Sequence, residues 1–388
     1  MSEIRYSCAA SATFGLESVV RSELETLGIG GVRVEDRRVF FEGSAREIAR
    51  CNIGLRTADR VLIMLAEFDA GDFDQLYEGV RAVPWRDILA PFPAVVVGAR
   101  SAKSRLTAIP SLQAVTKRAI VDSLSGAPPG ARSSARMEET GPRYDLELSI
   151  RADRASLCLD TTGPGLHRRG YRGARGEAPL RENLAAALVL LSRWQPSRPF
   201  ADPLCGSGTI PIEAALAAAN IAPGLGRSFA AEAWPLLPTA AWREAREQAR
   251  AEERRDVRPS ITGSDRDPGM VDAAARNARA AGVADMVRFR TAPLEAFAPE
   301  GDYGCLVSNP PYGQRLGEDT EVEALYRSMG TLFRSLRTWS LFALTARGDF
   351  PRFFGGRASR NRKLYNGNIR CWYFQYFGPL PSGSGTVS

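Results

Sequence analysis

The sequence predicts an α/β protein whose larger, C-terminal part is a doubly wound, mostly parallel sheet. Three observations carry this expectation. From about residue 179, short apolar strands alternate with helical segments, the pattern of βαβ units. A glycine turn, Asp202-Pro203-Leu204-Cys205-Gly206-Ser207-Gly208-Thr209, separates the first of these strands from its helix. The 388 residues also exceed what one ordinary core takes, so two or three domains are expected.

Taken in order, the N-terminal 45 residues read as one small α/β unit. Leu16, Val19, Val20, Leu24 and Leu27 recur at helical spacing, Gly28 stops the helix, and Val39-Phe40-Phe41 follows as a strand. Up to about residue 160, residues 92–97 read as a buried strand and 111–124 as an amphipathic helix bearing Lys117 and Arg118. Residues 144–150 alternate at period two, as a half-buried strand does. Residues 161–178 are rich in Gly, Arg and Pro and read as a basic connection between domains. A helix over 180–194, a strand over 199–203 and a helix over 210–220 then open the sheet. Later strands lie near Ile261, Val287, Leu306 and Leu341, and the Pro/Gly/Ser-rich residues 379–388 read as a disordered tail.

Composition narrows the classes of function. Hydrophobic residues at 44% and charged residues at 24% describe a globular chain, and no run approaches the roughly 20 apolar residues that span a bilayer. The first residues lack a basic segment followed by an apolar run, so no secretory signal is read there. Six scattered cysteines without a close pair argue against a disulfide scaffold and a zinc site, and fit a reducing cytoplasm. A single histidine, His167, puts His-based metal clusters out of reach. It reads as a structural or surface residue. The net charge of +7 suits a polyanionic partner, because cations that neutralise phosphates release condensed counterions. That charge concentrates in residues 168–175 and 357–363, although each run also reads as a solvated loop.

Three motifs carry chemistry. The two glycines of the Asp202–Thr209 turn let backbone approach a ligand, and the following helix N-terminus favours a negative group. The turn lacks the spacing of dinucleotide folds and the lysine of a phosphate loop, which disfavours a nucleotide-dependent oxidoreductase. In Gly263-Ser264-Asp265-Arg266-Asp267, Asp265 suits a ribose diol and Asp267 the cap of the helix opened by Pro268. In Ser308-Asn309-Pro310-Pro311-Tyr312-Gly313, the prolines hold the chain extended and remove donors. The Asn309 side-chain oxygen and the Pro310 carbonyl could then accept both hydrogens of a planar NH2 group, with Tyr312 stacked on a flipped base. Cys205 reads as a small buried residue beside the turn, and residues 372–377 as an aromatic core strand.

With these residues in view, 199–316 resembles the class I S-adenosylmethionine methyltransferases, and Asn309-Pro310-Pro311-Tyr312 those that act on exocyclic nitrogen. Nearly the whole chain resembles the THUMP-domain RNA guanine-N2 methyltransferases, similar to the RlmL half of the bacterial 23S rRNA enzyme. The stretches 13–17, 55–60, 169–172, 202–213, 309–316 and 363–368 carry that resemblance. It implies a Rossmann-like class I methyltransferase domain over 179–378, preceded by a ferredoxin-like region over 1–45, a THUMP RNA-binding domain over 46–160 and the linker. It further implies S-adenosylmethionine as cofactor, cradled by Asp202, Cys205, Gly206, Ser207, Gly208 and Thr209, with Asp265, Arg266 and Asn309 completing the site. Asn309, Pro310 and Tyr312 would position the amino group. Lys103, Arg105, Lys117, Arg118, Arg169 and Arg172 would meet the phosphates of an RNA, ribosomal first and transfer RNA as the alternative. No metal is implied.

One position departs from the family pattern. After the third strand such enzymes present an Asp to the cofactor adenine, whereas this chain reads Arg290-Thr291-Ala292-Pro293-Leu294-Glu295. Backbone atoms or Glu295 would have to serve instead. The competing expectations are N6-adenine methylation of RNA or DNA, methylation of a protein glutamine amide, and an RNA-binding assembly factor without catalysis.

Overall fold

The computed structural model describes residues 4–126, 138–173, 180–312 and 319–381. Gly313, Leu316, Ala174, Arg175 and the end of the expected tail, 382–388, lie outside the described residues. The chain divides into two units, the first comprising residues 1–11, 21–166 and 227–248, the second 12–20, 167–226 and 249–388.

The first unit is built on β1 (Arg5–Ala12), α1 (Glu17–Thr26), β2 (Arg33–Glu35), β3 (Arg38–Ser44), α2 (Ala45–Gly54) and β4 (Ala58–Asp69), with the end of β1 and the start of α1, residues 12–20, assigned to the second unit. There follow α3 (Phe73–Arg81), α4 (Trp85–Ile88), β5 (Ala94–Ala102), α5 (Ile109–Ser125), β6 (Arg143–Arg151) and β7 (Arg154–Asp160). Its strands form one seven-stranded sheet in the order β2-β3-β1-β4-β7-β6-β5. The capping box of Ser44 and Glu47 starts α2, and the left-handed Gly126 ends α5. The run expected as a buried strand over 92–97 is instead the outer strand β5, whose Val96 is 43% exposed. A strand with one neighbour and one covered face buries only alternate residues, here Val95 and Val97.

The second unit contains α6 (Glu182–Leu191), β8 (Phe200–Asp202), α7 (Thr209–Ala218), β9 (Ile261–Asp265), α9 (Pro268–Ala280), β10 (Val287–Thr291) and β11 (Cys305–Ser308). It continues with α10 (Asp319–Ser335), β12 (Ser340–Thr345), α11 (Phe350–Phe354), β13 (Arg360–Asn366) and β14 (Ile369–Tyr376), while α8 (Thr239–Ala251) runs across the unit boundary. The strand order is β10-β9-β8-β11-β12-β14-β13. β10, β9, β8, β11 and β12 are parallel, and β14 runs antiparallel to both β12 and β13.

Period-two burial explains why both faces are covered. Cys305 and Val307 of β11, with Phe342 and Leu344 of β12, enter one apolar cluster beside α6 and α7. Leu306, Leu341 and Ala343 enter the other, beside α10 and α11. The order reverses between β8 and β11, so the carboxyl ends of these two strands form the crevice where open α/β sheets take ligands. Among the described residues no helix is long and apolar enough to cross a membrane, and no His/Cys/Asp/Glu group could hold a metal ion.

Candidate active site

At that crevice lies a cleft of about 920 Å³, lined by the glycine turn, one side of α9, the Arg172–Gly173 segment and Asn309. The turn is shaped from beneath. Cys205 N donates to Ser264 O, and Gly206 N to Asp265 Oδ2 at 2.9 Å. Gly208 adopts φ +81°, and a Cβ there would come within 2.8 Å of Ala274 Cβ and 2.9 Å of Phe289 Cζ. Its glycine therefore serves the packing of α9 and β10 rather than approach to a ligand. Gly206, with no neighbour within 4 Å of an added Cβ, is the one that faces open space. Gly208 also stands at the N-cap of α7 with no side chain bonded into the helix end, leaving first-turn N–H groups for a ligand carboxylate.

Asp202, at the end of β8, is 1% exposed. Its Oδ1 accepts from Ser308 Oγ at 2.7 Å and from Leu204 N at 3.1 Å, which ties the end of β11 to the start of the turn. Burial above all raises its carboxyl to about 7, and neighbouring Asp265 adds to the rise. Burial likewise pushes the Cys205 thiol far above its usual range, so it stays protonated, the state of a packing residue.

Asp265 Oδ1 accepts from Asp267 N at 3.0 Å, so both its oxygens brace backbone. It is absent from the cleft lining, whereas Asp267 lines it and caps α9 by accepting from Gly269 N at 2.8 Å. Ser207 and Thr209 line the cleft, and Ser207 O accepts from Asn277 Nδ2 at 2.9 Å. Arg266 is exposed and outside the lining. Glu295 is exposed, Ala292 N is taken by Asp265 O at 3.0 Å, and neither residue lines the cleft.

Asn309 follows β11 directly and lines the cleft, with its Oδ1 buried and without a hydrogen-bond partner among the described residues. A buried acceptor left open costs free energy unless a ligand donor completes it. Pro310 is buried beside it. The loop is pinned from behind by Tyr326 of α10, whose Oη donates to Pro311 O at 3.1 Å and lies 2.8 Å from Thr345 Oγ1. Tyr312 is half-buried, and Asn366 donates to its hydroxyl.

The cations expected to meet phosphate are dispersed. Arg169 is 6% exposed and its Nε lies 3.5 Å from Glu213 Oε1, which also accepts from Tyr171 Oη at 3.0 Å. The segment expected as a solvated linker thus contributes buried side chains, because Glu213 on the interior helix α7 needs charged and polar partners. Arg172 lines the cleft and pairs with Glu182 at 3.7 Å. Arg105 pairs with Asp153, Lys117 with Glu139 and Arg118 with Asp122. Lys103 alone of the six forms no ion pair among the described residues. Met270, Ala273 and Arg276 on α9, and Tyr326 behind the loop, carried no motif and were not singled out in the sequence. His167 lies outside the cleft lining.

Residues 169–375 match the RMKL-like methyltransferase domain, residues 7–62 the RlmL ferredoxin-like domain and residues 70–160 the THUMP domain. YpsC of Bacillus subtilis (strain 168), provisionally named an RNA methyltransferase, is 42% identical over 376 residues, 97% of each chain. The crystal structure of a protein from Listeria monocytogenes, described as a predicted N6-adenine-specific DNA methylase, is similar with a TM-score of 0.91. Their identity is 44%, over 97% of both chains. SMU.472, provisionally described as a methyltransferase and solved with S-adenosylhomocysteine, is 42% identical with a TM-score of 0.90. The match covers 98% of this chain and 100% of that one.

Proposed function

Because the chain belongs to the RMKL-like methyltransferase family, with ferredoxin-like and THUMP domains ahead of the methyltransferase domain, we propose that it methylates the exocyclic N2 of a guanine in structured RNA, 23S rRNA first. The observation that carries the reading is the buried Asn309 Oδ1, an acceptor without a hydrogen-bond partner among the described residues, on a residue that lines the cleft. The donor set fits S-adenosylmethionine: an acidic residue, an uncapped helix N-terminus and an open glycine turn meet its ammonium and carboxylate. When bound, it supplies a methyl group on an electrophilic sulfonium.

The chain's own residues bind and align. The first turn of α7 and the glycine turn take the carboxylate, and Asp202 takes the ammonium. Asp267, which lines the cleft, takes the ribose hydroxyls, and Asp265 behind it braces the turn, with lone pairs its backbone bonds leave free for a ribose hydroxyl that reaches it. Asn309 Oδ1 and the Pro310 carbonyl accept the two amino hydrogens, which draws the nitrogen out of conjugation and turns its lone pair towards the methyl. Tyr312 stacks on the base, and the proton leaves to water afterwards. Alignment does most of the work, so no side-chain base is required.

An adenine N6 amine fits the same two acceptors, and the description of the Listeria protein favours that acceptor there. The test is transfer of tritiated methyl to total RNA from a strain lacking the gene, followed by digestion to nucleosides. We expect label in N2-methylguanosine from the large ribosomal RNA. Label in transfer RNA would move the substrate, label in N6-methyladenosine would move the acceptor, and no label in RNA would overturn the reading.

A further inference from the structure

The second basic run of the sequence, 357–363, ends in β13 at Lys363, and the hairpin of β13 and β14 adds Arg370, two cations that the transfer chemistry leaves unused. Antiparallel register sets Lys363 opposite Trp372 and Tyr365 opposite Arg370, so the four side chains share one face. Leu364 and Cys371, between them, are buried on the other face. Lys363 Nζ lies 5.5 Å from the Tyr365 ring centre and 6.0 Å from that of Phe14. The two rings meet edge to face at 6.0 Å, and the Arg370 guanidinium lies 5.6 Å from the Trp372 ring centre. Phe14 is 44% exposed, Arg370 is exposed, and Lys363, Tyr365 and Trp372 are half-buried. Among the described residues neither Lys363 nor Arg370 forms an ion pair with a carboxylate. The surface therefore keeps its positive charge and the exposed ring of Phe14, while Trp372 is packed in part against the apolar cluster beside α10 and α11.

Its position follows from register. Trp372 pairs with Thr345 at the carboxyl end of β12, and Ser308 at the end of β11 pairs with Ala343. The hairpin tip thus falls on the same edge of the sheet as Asn309, and Asn366 at that tip donates to the Tyr312 hydroxyl. We propose that the Phe14, Lys363, Tyr365, Arg370 and Trp372 face holds the single-stranded RNA flanking the target base. The cations meet its phosphates, and the exposed Phe14 ring, with the uncovered parts of Tyr365 and Trp372, gives unpaired bases a stacking surface. Duplex RNA keeps its base faces inside the stack and would leave the rings unused.

The proposal rests on RNA being the substrate, and its test separates the two. Binding of a short fluorescein-labelled oligouridylate is followed by anisotropy at several salt concentrations. Lys363→Glu/Arg370→Glu should weaken binding about tenfold or more and flatten the salt slope by about 1.4, two contacts at about 0.7 each. Phe14→Ser should weaken binding several-fold with the slope unchanged. Melting temperature and S-adenosylhomocysteine affinity, measured by calorimetry, should stay at wild-type values in both variants. Wild-type affinity and slope in both variants would overturn the proposal, as would equal binding of the matching RNA duplex. If the charge variant loses oligouridylate binding while wild-type protein labels no RNA base, the docking surface stands and the acceptor assignment falls.

Discussion

Asp202 shows what a single buried carboxyl does to this site. Its folded value of about 7 stands far above the ordinary carboxylate range, because burial disfavours the charge and Asp265 lies near. The folded chain holds this proton more tightly than the unfolded chain. The stabilising contribution is therefore full below about pH 4 and is lost as pH rises through about 7. We predict that the melting-temperature advantage of wild type over Asp202→Asn shrinks between about pH 4 and about pH 7. An advantage constant across that window would contradict the assignment. Asn309 and the Asp267 cap were legible in the sequence, since Asn-Pro-Pro-Tyr after an apolar strand and Asp-Pro before a helix each fix a local geometry. Arg169 was not. A run such as Arg168-Arg169-Gly170-Tyr171-Arg172 has no period to tell inside from outside, and its partner Glu213 is remote in sequence.

At the level of elements, α10 matters because of what it holds in place. Val322, Tyr326 and Met329 form its buried stripe, which fixes how the helix rotates against the sheet. Arg347, just past β12, pairs with Asp319 at 2.8 Å and with Glu323 at 3.5 Å, anchoring the helix start. Tyr326 then reaches the Pro311 carbonyl, in a loop whose two prolines can donate nothing of their own. Tyr326→Phe keeps the ring and removes the donor. We expect kcat to fall about tenfold, the worth of one hydrogen bond, with S-adenosylhomocysteine affinity unchanged. An unchanged kcat would show that the loop holds its shape without this bond. No sequence motif announces Tyr326, because its role depends on two elements meeting in space. β5 teaches the same lesson: its apolar run cannot distinguish an outer strand from an inner one.

For the molecule as a whole, alternating strands and helices sufficed to expect the second unit, since each parallel strand needs a covering helix. The expected doubly wound order is present, extended by the antiparallel hairpin β13–β14. The assignment of residues 227–248 to the first unit was not legible. Trp234 stacks on Tyr144 at 4.7 Å and its Nε1 donates to Arg143 O, contacts that no local pattern encodes. The central claim is that this fold aims an amino group at a methyl donor through two acceptors, the Asn309 Oδ1 and the Pro310 carbonyl. Its most direct test compares wild type with Asn309→Ala for tritiated methyl transfer to RNA, alongside calorimetry of S-adenosylhomocysteine. The account predicts transfer lowered about 10²–10³-fold with cofactor affinity nearly unchanged. Transfer at the wild-type rate, or loss of cofactor binding in its place, would contradict it.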